Sequence, residues 1–134
     1  MSQIISIEGK LACLITGKLR KDTPEEFVRQ EFINTLLNIY NYPKENIDIE
    51  FPIKIGSGTK YVDIAVFNSK KKSQDNVYLV IETKKKKETE GKEQLLSYVS
   101  ATTANFGIWT NGEKIKYLHK EEGTPNKVNE IPDI

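Results

Sequence analysis

The chain is 134 residues long, a length that suits one domain and sustains a hydrophobic core without staples. It is 37% hydrophobic and 29% charged with a formal net charge of +1, which excludes a disordered chain and neither demands nor excludes a nucleic-acid partner. A single cysteine and a single histidine exclude a disulfide framework, a thiolate metal cluster and an imidazole-built zinc site, and a reducing cytoplasm is the expected home.

No run approaches the roughly 18 apolar residues of a membrane span, and the first residues lack the basic and apolar blocks of a signal peptide. No membrane role is expected. Residues 3–16 hold two short apolar runs, Ile4 to Ile7 and Leu11 to Ile15, around Glu8-Gly9-Lys10, which predicts an N-terminal hairpin. Cys13 reads as a small core hydrophobe. Thr23-Pro24-Glu25-Glu26 opens a helix: Thr23 caps, Pro24 takes the first helical position, and Glu26 completes a capping box. Phe27, Val28, Phe32, Leu36, Leu37 and Tyr40 recur at helical spacing until the chain nears Pro43.

Ile47, Ile49, Phe51, Ile53 and Ile55 alternate with polar residues, predicting a strand with one buried face. Pro52 cannot donate to a ladder and places this strand at an edge. Tyr61 to Phe67 and Val77 to Thr83 are two further strands around a polar loop, Ser69 to Asn76. A helix over roughly Glu90 to Ala101 follows, with Leu95, Leu96 and Val99 inward. Asn105 to Thr110 and Lys114 to Leu118 form a C-terminal hairpin around Asn111-Gly112, a pair suited to the positive φ of a type I′ turn. Residues 121–134 read as a tail or linker after a domain spanning 1–120. The order predicts an α/β (α+β) domain whose mixed central sheet is flanked by helices.

Asp63 interrupts an apolar strand, and Glu82 ends another. A buried carboxylate must be paired, protonated or bound to a metal. Lys84 follows Glu82 by two residues and leaves the same face of an extended strand. If the two strands pair, Asp63 and Glu82 meet at one end of the sheet. Two converging carboxylates suit a hard divalent cation, and a neighbouring ammonium suits an attacking water and a charged phosphoryl group. The plain alternative is an ion pair at a strand end, worth about 0–1 kcal/mol when exposed.

Asp63 with Glu82-Thr83-Lys84 resembles the PD-(D/E)xK nuclease motif, without its proline. The chain as a whole resembles the N-terminal nuclease domain of type I restriction enzyme R subunits. The matching pieces run in order: Ile15 to Lys18, Thr23 to Glu26 with Arg29-Gln30, Tyr42 to Lys44, Val62 to Ile64, Ile81 to Lys84, Gln94 to Tyr98, and Trp109 to Gly112. The resemblance implies a restriction-endonuclease-like core (αβββαβ) that cleaves double-stranded DNA with Mg2+, or Mn2+ as substitute. Asp63 and Glu82 would be metal ligands and Lys84 the catalytic lysine. Gln94 and Tyr98 match a Q-x-x-x-Y motif and would contact phosphate or brace the site.

Glu26 fits both a capping box and a third metal ligand, and Arg29 both an ion pair and a phosphate contact. Lys84 to Lys87, with Lys70 to Lys72, would form a basic rim. Helicase motor and specificity subunits of a restriction complex are the implied partners. No Walker motif is present. The alternatives are a non-catalytic DNA-binding or assembly module on the same fold, and a structural protein without nucleic acid.

Overall fold

The structure, a computed structural model, describes residues 4, 6–121 and 124–128. Its elements in chain order are β1 (Ser6–Ile7), β2 (Lys10–Ala12), β3 (Leu19–Lys21), α1 (Pro24–Asn38), β4 (Ile47–Ile55), β5 (Gly58–Phe67), β6 (Val77–Thr83), α2 (Lys92–Ala101), β7 (Phe106–Thr110), β8 (Ile115–Glu121) and β9 (Thr124–Val128). Strands β4 to β9 form one sheet in sequence order. Every neighbouring pair is antiparallel except β6 and β7, which are parallel and joined through α2. A parallel pair requires such a crossover. The predicted mixed sheet between helices is therefore the observed one, with β4 and its Pro52 at an edge.

The two helices cover opposite faces. Phe32, Ile33 and Leu36 of α1 pack on Ile47, Ile49, Ile64, Leu79, Ile81 and Ile108. Leu95, Tyr98 and Val99 of α2 pack on Phe51, Ile53, Val62, Ala65, Val80 and Trp109. Leu96, expected inside, is 44% exposed and points away from the sheet.

These two clusters correct the expectation that β4 buries one face. Strict alternation would keep Ile47, Ile49, Phe51 and Ile53 together. Instead the first two lie under α1 and the last two under α2. The ladder passes from Ile49↔Ile64 to Phe51↔Val62 and omits Glu50 and Asp63. Glu50 has φ 48°, in the left-handed region that a side chain rarely adopts. The two-stranded ribbon thus rolls over at Glu50 and Asp63, and wraps its outer half against α2.

Three other expectations change. The N-terminal hairpin gains a third strand, because β3 pairs with β2 and makes a small separate sheet. The turn between β7 and β8 spans Asn111 to Lys114 rather than two residues. Of these only Gly112 has positive φ, 87°, and Asn111 Oδ1 accepts from the backbone N–H of Glu113 and Lys114. Residues 121–134, read as a tail, contribute β9, which pairs with β8 over Tyr117↔Val128 to Glu121↔Thr124. An edge strand with free backbone groups accepts another strand whatever its polarity, and composition does not reveal this. Residues 129–134 lie outside the described residues.

Helix α2 approaches the sheet over Gly107 of β7. A methyl group there would lie 2.6 Å from Val99 Cγ2 and 3.1 Å from Leu95 Cδ1, both on buried side chains. Gly107→Ala should overpack this seam and destabilise the domain by about 1–3 kcal/mol. Thermal unfolding followed by circular dichroism checks this; an unchanged Tm would mean that α2 does not pack as closely as described.

Candidate active site

The pairing of β5 with β6 ends at Ile64↔Ile81. The next opposed residues are Asp63 and Glu82, and there the strands part because β5 has begun to roll. Their separation leaves the Thr83 N–H without a backbone acceptor on β5. Asp63 supplies one: its Oδ2 accepts from Thr83 N at 2.9 Å and from Thr83 Oγ1 at 3.3 Å. The strand-interior aspartate is thus held by the end of the neighbouring strand.

Glu82 is only 4% exposed. Burial pushes its carboxyl up to about 9, helped by a hydrogen bond with Asp63 and by the charges of Asp63 and Glu25, and opposed by Lys84. Two carboxylates in contact with little water cannot both ionise, so the pair holds a proton near neutral pH.

Lys84 leaves β6 beside this pair, with its N–H bonded to Thr110 O at 2.9 Å. Its charge is felt by both Glu82 and Glu25. The side chain lies along Gly91, the residue before α2: a methyl group at Gly91 would sit 2.5 Å from Lys84 Cε and 3.5 Å from Gln94 Oε1. Gly91 has φ 98°, so both its backbone and the space beside it require glycine.

The first turn of α1 divides two adjacent glutamates. Thr23 caps the helix by accepting from Glu26 N at 3.1 Å, as expected. The Glu26 carboxylate does not return to the cap. Its Oε1 accepts from Arg20 Nε at 2.9 Å and from Arg29 Nη2, and its Oε2 from Arg29 Nε at 3.1 Å and Gln30 Nε2 at 2.9 Å. Burial raises its pKa, but the hydrogen bonds from Arg29, Gln30 and Arg20 outweigh burial and hold it below the usual carboxylate range.

Glu26 and Arg29 are paired with each other, and both also line the cleft that holds Asp63. Glu25, to which the motif assigns no role, is a second α1 carboxylate at the site. Its pKa is raised by burial and by the Asp63 charge, against Lys84. Glu25, Glu26, Arg29, Glu50, Asp63 and Thr83 line one cleft of about 240 Å³. Two consecutive glutamates in one helical turn carry no sequence signal that separates them.

From the opposite side α2 presents Tyr98, which is buried and whose hydroxyl is raised by burial and by the charges of Glu82 and Asp63. Tyr98 therefore walls the carboxylate pair, whereas Gln94 is exposed beside Gly91 and Lys84. Lys70 to Lys72 do not join the rim. They lie in the β5–β6 loop, at the far end of β6 from Glu82, about 16 Å away along the strand.

Among the described residues no three His, Cys, Asp or Glu side chains group to hold a metal ion. The chemistry of the pair nevertheless fits a hard divalent cation. Asp63 and Glu82 offer oxygen donors and share a proton that a cation would replace, and Mg2+ commonly takes one or two carboxylates and completes its shell with water and phosphate.

Residues 24–134 match the family described as Type I restriction enzyme R protein N terminus. No curated protein matches the sequence. Among solved structures, the chain is similar to a proposed nuclease of the DUF820 group from Anabaena variabilis, with a TM-score of 0.52 and 14% identity over 87% of this chain and 75% of that one. At that identity the likeness shows a shared fold, the restriction-endonuclease-like arrangement of a mixed sheet between helices.

The Glu82 carboxyl makes stability pH-dependent. Its folded value of about 9 exceeds the ordinary 4.5, so the folded state keeps a proton that the unfolded chain releases. That contribution is complete below the unfolded value and is lost as pH rises through the folded one. Glu82→Gln should therefore raise Tm in EDTA at about pH 8 and change it little at about pH 4, where both forms are neutral. Paired thermal melts read this; equal shifts at both pH values would contradict it.

Proposed function

The chain belongs to the Type I restriction enzyme R protein N terminus family, and we propose on that premise that it is a metal-dependent endodeoxyribonuclease domain that hydrolyses phosphodiester bonds of double-stranded DNA. The observation that carries this reading is the break in the β5–β6 ladder, which brings Asp63 and Glu82 together with Lys84 at one end of the sheet.

Asp63 and Glu82 would hold Mg2+ or Mn2+, which would supply a lowered pKa for the attacking water and an offset to charge on a phosphoryl oxygen. Thr83 fixes Asp63 Oδ2 and so orients the carboxylate. Lys84 donates to the attacking water or to a phosphate oxygen, stabilising charge as it develops. Glu25 faces the same cleft and can accept a proton. Tyr98 keeps the α2 side of the pair dry and braced.

Lys85 to Lys87 are exposed next to the site and suit the DNA backbone. Helicase motor and specificity subunits would supply target choice, since no base-reading element stands out. No helix among the described residues is long and apolar enough to cross a membrane, and work on DNA suits a cytoplasmic place. A non-catalytic binding module on this fold would have no use for a buried Glu82 set against Asp63.

Incubation of the domain with supercoiled plasmid tests the proposal. Nicking is expected in Mg2+ and Mn2+, none in EDTA, and a loss of about 100-fold or more in Asp63→Ala and Lys84→Ala. Calorimetric titration with Mn2+ should show binding that Asp63→Ala abolishes and Lys84→Ala retains. Absence of both cleavage and metal binding in the wild type would sink the reading.

A further inference from the structure

The segment Lys84 to Gly91 reads in sequence as a solvated charge run, yet its backbone is tied down at three points. Lys84 N donates to Thr110 O at 2.9 Å, Asn111 Nδ2 donates to Glu88 O at 2.8 Å, and Trp109 Nε1 donates to Glu90 O at 2.8 Å. All three partners are consecutive residues at the end of β7. They reach the segment because β6 and β7 run parallel with Thr83 beside Thr110, so the end of β7 lies where β6 releases the loop. The Lys92 ammonium adds a fourth tie, 4.8 Å above the Trp109 ring. Trp109 and Asn111 are themselves fixed, being 0% and 1% exposed.

The strap ends at Gly91, the residue against which the Lys84 side chain lies. A shift of the loop therefore moves both ends of the Lys84 side chain: its backbone, and the surface that supports its ammonium group.

We propose that Trp109 and Asn111 are positioning residues that hold the Lys84–Gly91 loop, and through it the Lys84 ammonium, beside the Asp63–Glu82 pair. The inference rests on the nuclease reading for its consequence in catalysis and on the three hydrogen bonds for the strap itself.

Asn111→Asp breaks the tie: it keeps the Oδ1 that accepts from Glu113 N at 2.9 Å and Lys114 N at 2.7 Å, and it replaces the donor to Glu88 with a carboxylate oxygen that repels the Glu88 carbonyl. Trp109→Phe is the second variant: it keeps a buried ring and removes the Nε1 donor. Hydrogen exchange of the full chain should quicken by about tenfold at residues 84–91 in either variant, with the remaining strands unchanged. In plasmid nicking, kcat should fall about 10- to 100-fold with KM for DNA within about twofold. Neither variant should lower the rate further in a Lys84→Ala background.

Unchanged exchange at 84–91, or an equal loss of rate in the Lys84→Ala background, overturns the proposal. If the wild type does not cut DNA, Mn2+ binding settles the nuclease reading separately. Amine labelling then decides the positioning: faster modification of Lys84 relative to Lys85 to Lys87 in both variants upholds it, and an unchanged ratio overturns it.

Discussion

Asp63 and Glu82 confront each other at the point where two antiparallel strands separate, and much of the surrounding structure serves to make that encounter tolerable. A carboxylate removed from water is costly unless paired or protonated. Here the first relief is a retained proton, because burial and the neighbouring Asp63 hold the Glu82 carboxyl far above its ordinary range. The second is the Thr83 N–H, freed by the parting strands and bonded to Asp63. The third is the Lys84 charge. Each is a partial remedy, and together they leave a concentrated acidic site whose natural complement is a cation.

The roll of the β4–β5 ribbon creates this encounter and is itself supported from outside the main sheet. Arg20, on the small N-terminal sheet, bridges Glu26 at 2.9 Å and Glu50 at 2.7 Å. Glu50 is the residue opposite Asp63 whose backbone takes the left-handed turn. Leu14 N donates to Gln30 Oε1 at 2.9 Å and ties the same N-terminal segment to α1. Residues 14–20 thus clamp the far side of the cleft, and Arg20 and Arg29 together satisfy the Glu26 carboxylate, while Glu25 beside it feels the charge of Asp63. The charge economy of the site comes from neighbours that do no chemistry.

Particular residues show why some of this was legible in one dimension. Thr23 and Pro24 declare a helix start through local chemistry, and the start is where they place it. The apolar runs that Asp63 interrupts and Glu82 ends declare strands, and a hairpin requires that they pair. Leu96 misleads because an apolar side chain at the rim of a short helix satisfies the same periodicity as one inside it. Glu26 misleads because a capping box and a buried ion pair ask for the same residue. Thr124 to Val128, with a proline and polar neighbours, carry no strand signal of their own and join the sheet because β8 offers an open edge.

What is local or pairwise is written in the chain: the cap of α1, the edge position of Pro52, and the presence of two carboxylates and a lysine at spacings that converge if adjacent strands pair. Only the folded arrangement sets which face each half of β4 buries, which of two neighbouring glutamates is paired with arginines, and how the loop after Lys84 is strapped to β7. Those outcomes depend on the roll at Glu50 and Asp63, on the parallel placement of β6 beside β7, and on Arg20 brought from the N-terminal sheet. They are contacts between segments distant along the chain, and no period or motif within one segment encodes them.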